Sequence, residues 1–573
     1  MDGVRIYCEN TGTFETVQAG TTLKELSAAV CPYVSENGKS GECSQPVLAA
    51  LVDNRLHGLG YSIINPHNIR FIGYGHPDGR RTYIRSLCFV LQKVVRDMYP
   101  DKVLVIDYSL PSGLYCEIRE NRCLEDGRPK PYFVTDGELE VISERMREII
   151  ASDAPFQKRV IGAAEAEEIF RRNNQTEKVN LLRTTGHFTY EVYFLDGAAD
   201  MFYWPLTTSA GVLGTFNIMG FNDGFCLQYP MDGDAGRVLP MKRQSKIATA
   251  LKEHSDWCSI MGVRGVGALN EKVLSGEITG LINFSEALHE RKYAEIADQI
   301  YERRGSVKIV FIAGPSSSGK TSTSKRLAIQ CRILGLNPKV IELDNYFVDR
   351  ALTPRDENGD YDFEALEAMD LKFLGEQLND LLAGKEVEIP RFDFKEGKRH
   401  FDGNFMQLHE KDILIMEGIH ALNPAMIPDV DNSKVFRVYA SALTSLSIDE
   451  NNNISTSDNR MLRRMIRDNR TRGINPEDTI MRWQSVRRGE NHNIFPFQEN
   501  ADAVFNSAHI FELPVLKYYA EPLLRRIAPT SPAYTEATRM LKFLDYIIAL
   551  SPAEIAAIPP TSILREFIAG QTL

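Results

Sequence analysis

No stretch of this 573-residue chain approaches the ~18 uninterrupted apolar residues that a membrane helix needs, which excludes a helical span. The first residues, Met1-Asp2-Gly3-Val4-Arg5-Ile6-Tyr7-Cys8, have neither the basic start nor the apolar core of a signal peptide, so a cytoplasmic location is expected. Cysteine is sparse. Nine residues, at 8, 31, 43, 88, 116, 123, 226, 258 and 331, form no C-x-x-C pair, which argues against a disulfide framework and against a cysteine-rich zinc site. Positive charge is not in excess either. Lys plus Arg number 66 against 77 Asp plus Glu, a formal net charge of −11, so the overall field offers little to nucleic acid and weighs against tRNA binding, leaving only a local basic patch open. The 43% hydrophobic and 25% charged fractions, with 40 Gly and 27 Pro, sit near globular averages and exclude a collagen-like or low-complexity chain. At about 100–200 residues per domain, the length implies roughly three to five domains.

The pattern along the chain predicts a multidomain α/β protein. Residues 1–78 read as short strands around one helix: Val4–Tyr7 and Phe14–Val17 flank a Gly12-Thr13 turn, Thr21-Thr22 caps Leu23–Val30, and Pro46–Val52 and Ile69–Ile72 add strands. Residues 79–282 form an α+β unit. In it Leu87, Val90, Leu91, Val94, Val95 and Met98 mark an amphipathic helix ended by Pro100. Thr135-Asp136-Gly137-Glu138 has capping-box spacing ahead of a helix to Ile150, and Thr189–Leu195 alternates like a strand. A charge-rich helix, Asn283–Tyr301, lies within a connector at 283–304. From 305 to 530 apolar strands (Val307–Ala313, Lys339–Leu343, Ile413–Met416, Val435–Tyr439) alternate with helices, which predicts a parallel sheet. A helical tail, 531–573, carries helices at about Glu536–Leu550 and Ser562–Ile568.

The strongest motif is Gly314-Pro315-Ser316-Ser317-Ser318-Gly319-Lys320-Thr321, followed by Ser322. It is a complete G-x-x-x-x-G-K-[ST] after an apolar strand and before a helix. The glycines let successive N–H groups point inward at phosphate oxygens, and the helix N-terminus adds partial positive charge. Lys320 reaches the β- and γ-phosphates and the Thr321 hydroxyl ligates Mg²⁺, so a nucleoside triphosphate is expected here. Asp344 follows the second strand, where an open α/β sheet places its ligand crevice, and a carboxylate there can take a proton from an attacking hydroxyl. Glu417 ends the apolar run Ile413–Met416, as a Mg²⁺-directed carboxylate would. Between 460 and 488 nine arginines face three acids, and Arg460, Arg463, Arg464 and Arg467 share one helical face. Such a face calls for an anion and is read as a lid over the transferring phosphate. His420, three residues past Glu417, is weighed equally as a phosphate neighbour and as a structural residue. No N-K-x-D is present, so GTPase-type guanine selection has no support.

The segment from Gly314 to about Ile527 resembles the uridine/cytidine kinase branch of the P-loop phosphoribulokinase/uridine kinase family. The resemblance rests on the P-loop, Leu343-Asp344-Asn345-Tyr346-Phe347, Tyr361-Asp362-Phe363, Ile389–Phe394, Glu417–Leu422 and Arg463–Asp468 with Arg472-Gly473. It implies ATP and Mg²⁺ as cofactors, Asp344 as the base for a nucleoside 5′-hydroxyl, and Thr321, Glu417 and Asp344 around the metal. It also implies Asp362 as a ribose ligand, Phe392 and Arg464 on the substrate side, and Arg467 and Arg472 in the lid beside Lys320. Two positions depart from the family: Phe392 stands where a base-reading Tyr is usual and Gly397 where a His is usual, so the base is left open.

The front of the chain resembles two units of threonyl-tRNA synthetases: a TGS β-grasp unit over residues 1 to about 75, and an editing-like (second additional) domain from 80 to about 245. Arg85 and Phe89 replace the paired histidines of the latter, and Phe202 and Leu206 its Cys and second-motif His, so neither zinc nor hydrolysis carries over. The leading expectation is therefore an ATP- and Mg²⁺-dependent nucleoside kinase. The alternatives are a kinase of another small hydroxyl substrate, such as a sugar phosphate, and an ATP-switched regulatory protein binding RNA through its front units; a homo-oligomer is open.

Overall fold

Thr22, in extended backbone, accepts from the Glu25 N–H while the Glu25 carboxylate accepts from the Thr22 N–H, and this capping box starts the helix Leu23–Val30 where expected. The computed structural model describes residues 3–31, 45–111, 113–125, 128–230, 236–241, 244–355, 359 and 361–573; Cys43 lies outside them. Among the described residues no disulfide joins two cysteines. Val4–Cys8 and Thr13–Val17 pair antiparallel around Gly12, whose φ of +70° suits a tight turn. The first sheet runs in the order Thr13–Val17, Val4–Cys8, Asn68–Ile72, Ala49–Val52, Arg55–His57, with Val4–Cys8 and Asn68–Ile72 parallel. The short strand Arg55–His57 was not anticipated, because three residues carry too little alternation to read.

The helix expected at Leu87–Met98 begins earlier, at Pro77, with His76 as its cap. A proline in the first turn has no missing intrahelical bond to lose. This helix packs on an antiparallel sheet of Lys102–Leu110, Gly113–Cys123, Pro129–Tyr132, Asn217–Phe221 and Gly224–Gln228. Gln157–Gly162, Thr189–Leu195 and Ala198–Met201 make a three-stranded sheet beside it. Phe89 meets Phe202 edge-on at 5.6 Å between ring centroids and stacks on Phe156 at 5.7 Å, and with Leu206 they are buried in one apolar cluster.

The helix expected at Asn283–Tyr301 spans Ile278–Glu302 and is no free connector. Its Tyr293, Ile296, Ala297 and Ile300 pack on Leu327, Ala328 and Cys331 of the helix Lys320–Ile333. The C-terminal half is built on five parallel strands in the order Asn337–Glu342, Asp412–Glu417, Ile309–Ala313, Val435–Ser441, Ala503–Asn506. Every residue of Ile309–Ala313 and Asp412–Glu417 is buried, as expected when helices cover both faces of a parallel sheet. Because the strands share one direction, Gly314, Asp344 and Glu417 all emerge at the same edge. The tail helices Tyr534–Asp545, Pro552–Ala556 and Arg565–Ile568 fold back onto the body, with Leu564, Phe567 and Ile568 joining a core that includes Met461 and Leu462.

The two halves meet through buried polar contacts. Lys178 lies fully buried between Asp200 at 2.8 Å and Asp449 at 2.9 Å. Asn451 donates to the Leu104 carbonyl and Asn452 to the Met201 carbonyl.

Candidate active site

At Gly314 a Cβ would collide with the carbonyl of Ala440, so only glycine lets the loop pass the neighbouring strand. Ser317 (φ +59°) and Gly319 (φ +81°) adopt left-handed backbone, which curls the loop into the helix Lys320–Ile333. The buried Ser317 and Ser318 hydroxyls have no hydrogen-bond partner among the described residues, an orphaned polar lining suited to an anion. Lys320 Nζ lies 3.4 Å from the Pro315 carbonyl, folded over the loop it serves.

Thr321 begins the helix, Glu417 ends a buried strand, and the Thr321 Oγ1 donates to Glu417 Oε1 at 2.6 Å. Burial pushes the Glu417 carboxyl up to about 7, the Lys320 charge opposes that rise, and Asp344 adds to it. Asp344 sits in the short 3₁₀ turn Leu343–Tyr346. Its carboxyl is likewise raised, first by burial, against the pull of Lys320 and Arg472 and with Glu342 adding to the rise. Lys320, Asp344, Glu417 and Arg472 thus act on one another electrostatically at one edge of the sheet. Two hard oxygen donors side by side, Thr321 and Glu417, fit a Mg²⁺ that takes one or two carboxylates and completes its shell with phosphate and water.

The arginine helix Thr456–Arg472 is divided. Arg460 is buried in an ion pair with Glu490 of the helix Pro476–Asn493, and Arg463 is buried against Glu512. These two do not face a phosphate; their anions are carboxylates of the protein's own core, which corrects the expectation of one phosphate-facing stripe. Burial alone would raise Glu490, but Arg460 and Arg487 hold it below its ordinary value. Glu490 also accepts from the Ser316 N–H at 3.1 Å, so this pair braces the P-loop from behind. Arg464 does reach the loop, donating to Ser316 Oγ at 2.8 Å. The buried carboxylate of Asp468 gathers Arg464 at 3.2 Å, Arg467 at 2.9 Å and Arg472 at 3.5 Å.

Asp362 accepts from the Glu364 N–H at 3.0 Å. Glu364 was not singled out from the sequence. Burial raises its carboxyl to about 7, with Glu490 and Asp344 adding to the rise and Arg464 and Lys320 opposing it, which brings the Asp362 segment to the phosphate end of the site. Phe392 is buried on the strand Arg391–Asp393, and its N–H donates to Asn345 Oδ1 at 3.1 Å, directly beside Asp344. Phe347, Phe392 and Phe394 form an aromatic wall with centroids 5.2–6.4 Å apart. Over Gly397 (φ +70°) lies Arg350, donating to the Phe394 and Lys395 carbonyls. His420 is fully buried, and burial lowers its pKa to about 4, so it is a neutral core residue.

A parallel sheet that delivers a G-x-x-x-x-G-K-T loop, a helix N-terminus and a strand-end carboxylate to one edge defines a P-loop nucleotide-binding protein. Residues 309–512 match the Phosphoribulokinase / Uridine kinase family. The uridine kinase of Bacillus licheniformis is 30% identical over 198 residues, 34% of this chain and 84% of that protein. Those of Ligilactobacillus salivarius (28% over 203 residues, 35% of this chain and 86% of theirs) and Macrococcus caseolyticus (30% over 197 residues, 34% and 86%) are similar. Through its C-terminal half the chain belongs to the phosphoribulokinase/uridine kinase family.

Proposed function

We propose that this chain transfers the γ-phosphoryl group of ATP to the 5′-hydroxyl of a nucleoside, in a Mg²⁺-dependent reaction. The observation that carries the reading is the Thr321–Glu417 hydrogen bond, formed beside Lys320 and within the field of Asp344. A pure nucleotide switch needs no substrate base, so an aspartate in this place favours an enzyme.

In the proposed reaction the P-loop N–H groups and Lys320 hold the triphosphate. Asp344 takes the hydroxyl proton as the substrate oxygen bonds to the γ-phosphorus, and the bond to the β-phosphate oxygen breaks to leave ADP. Mg²⁺, held by Thr321 and Glu417, would neutralise phosphate charge. Arg464, Arg467 and Arg472, gathered by Asp468 at the loop, supply further positive charge where it develops during transfer. Asp362 would bind the ribose hydroxyls. The wall of Phe347, Phe392 and Phe394 supports stacking on a base without hydrogen-bond selection, so several bases are accepted.

We infer that the front units are scaffold. The mixed sheet with its single capped helix supports a TGS-like unit, and the Phe89–Phe156–Phe202 packing supports an editing-like unit without hydrolytic chemistry. Among the described residues no helix is long and apolar enough to cross a membrane.

The deciding experiment is a panel of nucleosides and sugar phosphates with ATP and Mg²⁺, followed by ADP release. Nucleosides are expected to stimulate release well above the water-hydrolysis background; a panel on which none does overturns the reading.

A further inference from the structure

Residues 559–573 lie against the P-loop and its helix. Ile563 fills the space that a Cβ on Gly319 would occupy, and Ser562, Ile563, Leu564 and Phe567 are buried. The Glu566 carboxylate accepts from the Ser322 hydroxyl at 2.6 Å and lies 3.4 Å from the Ser322 N–H, which donates to it. Gln571 donates to the same Ser322 oxygen at 2.7 Å. From the other side Arg470 donates to the Glu566 carbonyl at 2.8 Å and the Phe567 carbonyl at 3.2 Å, and the Arg463 guanidinium lies 5.0 Å over the Phe567 ring. Arg326 donates to the Thr561 carbonyl and Lys325 to that of Leu573 at 3.2 Å.

The first-turn N–H groups of an α-helix have no intrahelical acceptor, and in a P-loop they are the donors that cradle the α- and β-phosphates. Ser322 is one of these donors, and here a carboxylate of the same chain already takes its N–H and its hydroxyl. A phosphate and a carboxylate cannot share one N–H donor at hydrogen-bond distance without direct repulsion between two anions. The segment that carries Glu566 is docked through side chains of the two helices that flank the nucleotide site, Lys320–Ile333 and Thr456–Arg472. Any movement of Glu566 is therefore felt by Arg463 and Arg470 of the arginine helix.

We propose that the 559–573 segment is a self-docked competitor for the nucleotide: Glu566 occupies the phosphate donors at Ser322 and withdraws when nucleotide binds. The proposal rests on the reading of the P-loop as the nucleotide site. It makes the apparent affinity the intrinsic affinity multiplied by the fraction of molecules whose Glu566 is withdrawn. A plain helix cap would give the opposite result, since removing a cap loosens the loop and weakens binding.

The test is titration of ADP into the full chain, as wild type, Glu566→Gln and Glu566→Ala, with hydrogen exchange of the wild type read at saturating ADP. Both variants are expected to bind ADP more tightly, by about tenfold for Glu566→Ala, as removal of a competing closed state requires. Amides of 562–573 are expected to lose protection in the wild type when ADP binds. Equal or weaker binding by both variants overturns the proposal while leaving the P-loop reading intact, and so does tighter binding with retained tail protection. If neither wild type nor variants bind ADP, the P-loop reading falls and this proposal falls with it.

Discussion

Thr321 and Glu417, 96 positions apart, share a 2.6 Å hydrogen bond that ties the first turn of the P-loop helix to the end of the neighbouring buried strand. The strand carries Glu417 to this place because Ile413, Leu414, Ile415 and Met416 are all buried between covering helices, leaving the acid at the edge where ligands bind. On the proposed reading the bond holds together two oxygens that would serve one cation, and it keeps a carboxylate in a dry place within the field of Lys320.

Asp344→Asn keeps the size of the side chain and removes its capacity to take a proton. Turnover is expected to fall by roughly 10²–10⁴-fold, the usual contribution of a general base. ADP affinity should stay within about twofold, because phosphate binding rests on the loop and Lys320. Steady-state ADP release and an ADP titration on the same protein separate the two effects. Unchanged turnover would remove Asp344 from the mechanism.

Glu417 gives a pH signature. Burial holds its carboxyl up to about 7 against an ordinary 4.5, so the folded chain binds this proton more tightly than the unfolded chain does. Its contribution therefore makes stability fall as pH rises from about 4.5 to about 7, with the full cost present above that. Glu417→Gln is neutral throughout. Its melting temperature should match the wild type near pH 4.5 and exceed it at pH 8, by a margin on the order of 3 kcal/mol in stability at most. Added Mg²⁺ should raise the wild-type melting temperature at pH 8 and leave that of Glu417→Gln nearly unmoved.

Gly397 and Arg350 make a coupled pair beside the aromatic wall of Phe347, Phe392 and Phe394. Gly397 has φ +70°, and a Cβ built on it lies 2.8 Å from Arg350 Cβ and Nε. Gly397→Ala should destabilise by about 1–2 kcal/mol from backbone strain alone, with the Arg350 clash added. In Gly397→Ala/Arg350→Gly, which removes the Arg350 Cβ together with its guanidinium, the clash is gone and only the strain remains, so the double variant should be more stable than the sum of the single effects, as thermal unfolding will read. Strict additivity would show that Arg350 does not occupy this space in solution.

What was legible in the sequence was local. The P-loop, Asp344 and Glu417 each announce themselves by a strand of apolar residues followed at once by the functional group, and Thr22 and Thr135 name their helices through a glutamate three residues on. The parallel sheet followed from four of its strands; the fifth, Ala503–Asn506, is short and only Phe505 in it is buried, so it carries no apolar run. The arginine helix misled for a physical reason: four arginines on one face are costly in isolation, but the compensating carboxylates of Glu490 and Glu512 come from distant elements that no spacing rule connects to them. Glu566 was equally hidden, since only the fold brings it to Ser322.

The same kind of long-range pairing joins the halves at Lys178. Burial alone would lower the pKa of this lysine, but Asp200, Asp449 and Glu450 outweigh burial and hold it above its ordinary value, so it is charged and matched. Lys178→Met preserves most of the volume and strands two buried carboxylates. Breaking a buried pair by removing one partner costs about 3–5 kcal/mol, because the remaining charge has no water and no partner. Denaturant unfolding should show that loss, and hydrogen exchange should rise at both 189–201 and 449–452, since the contact ties these segments together. Adding Asp449→Asn to Lys178→Met should recover part of the stability, because one stranded charge is then removed. A double variant no more stable than Lys178→Met would mean that the attraction between Lys178 and Asp449 does not hold the two halves together.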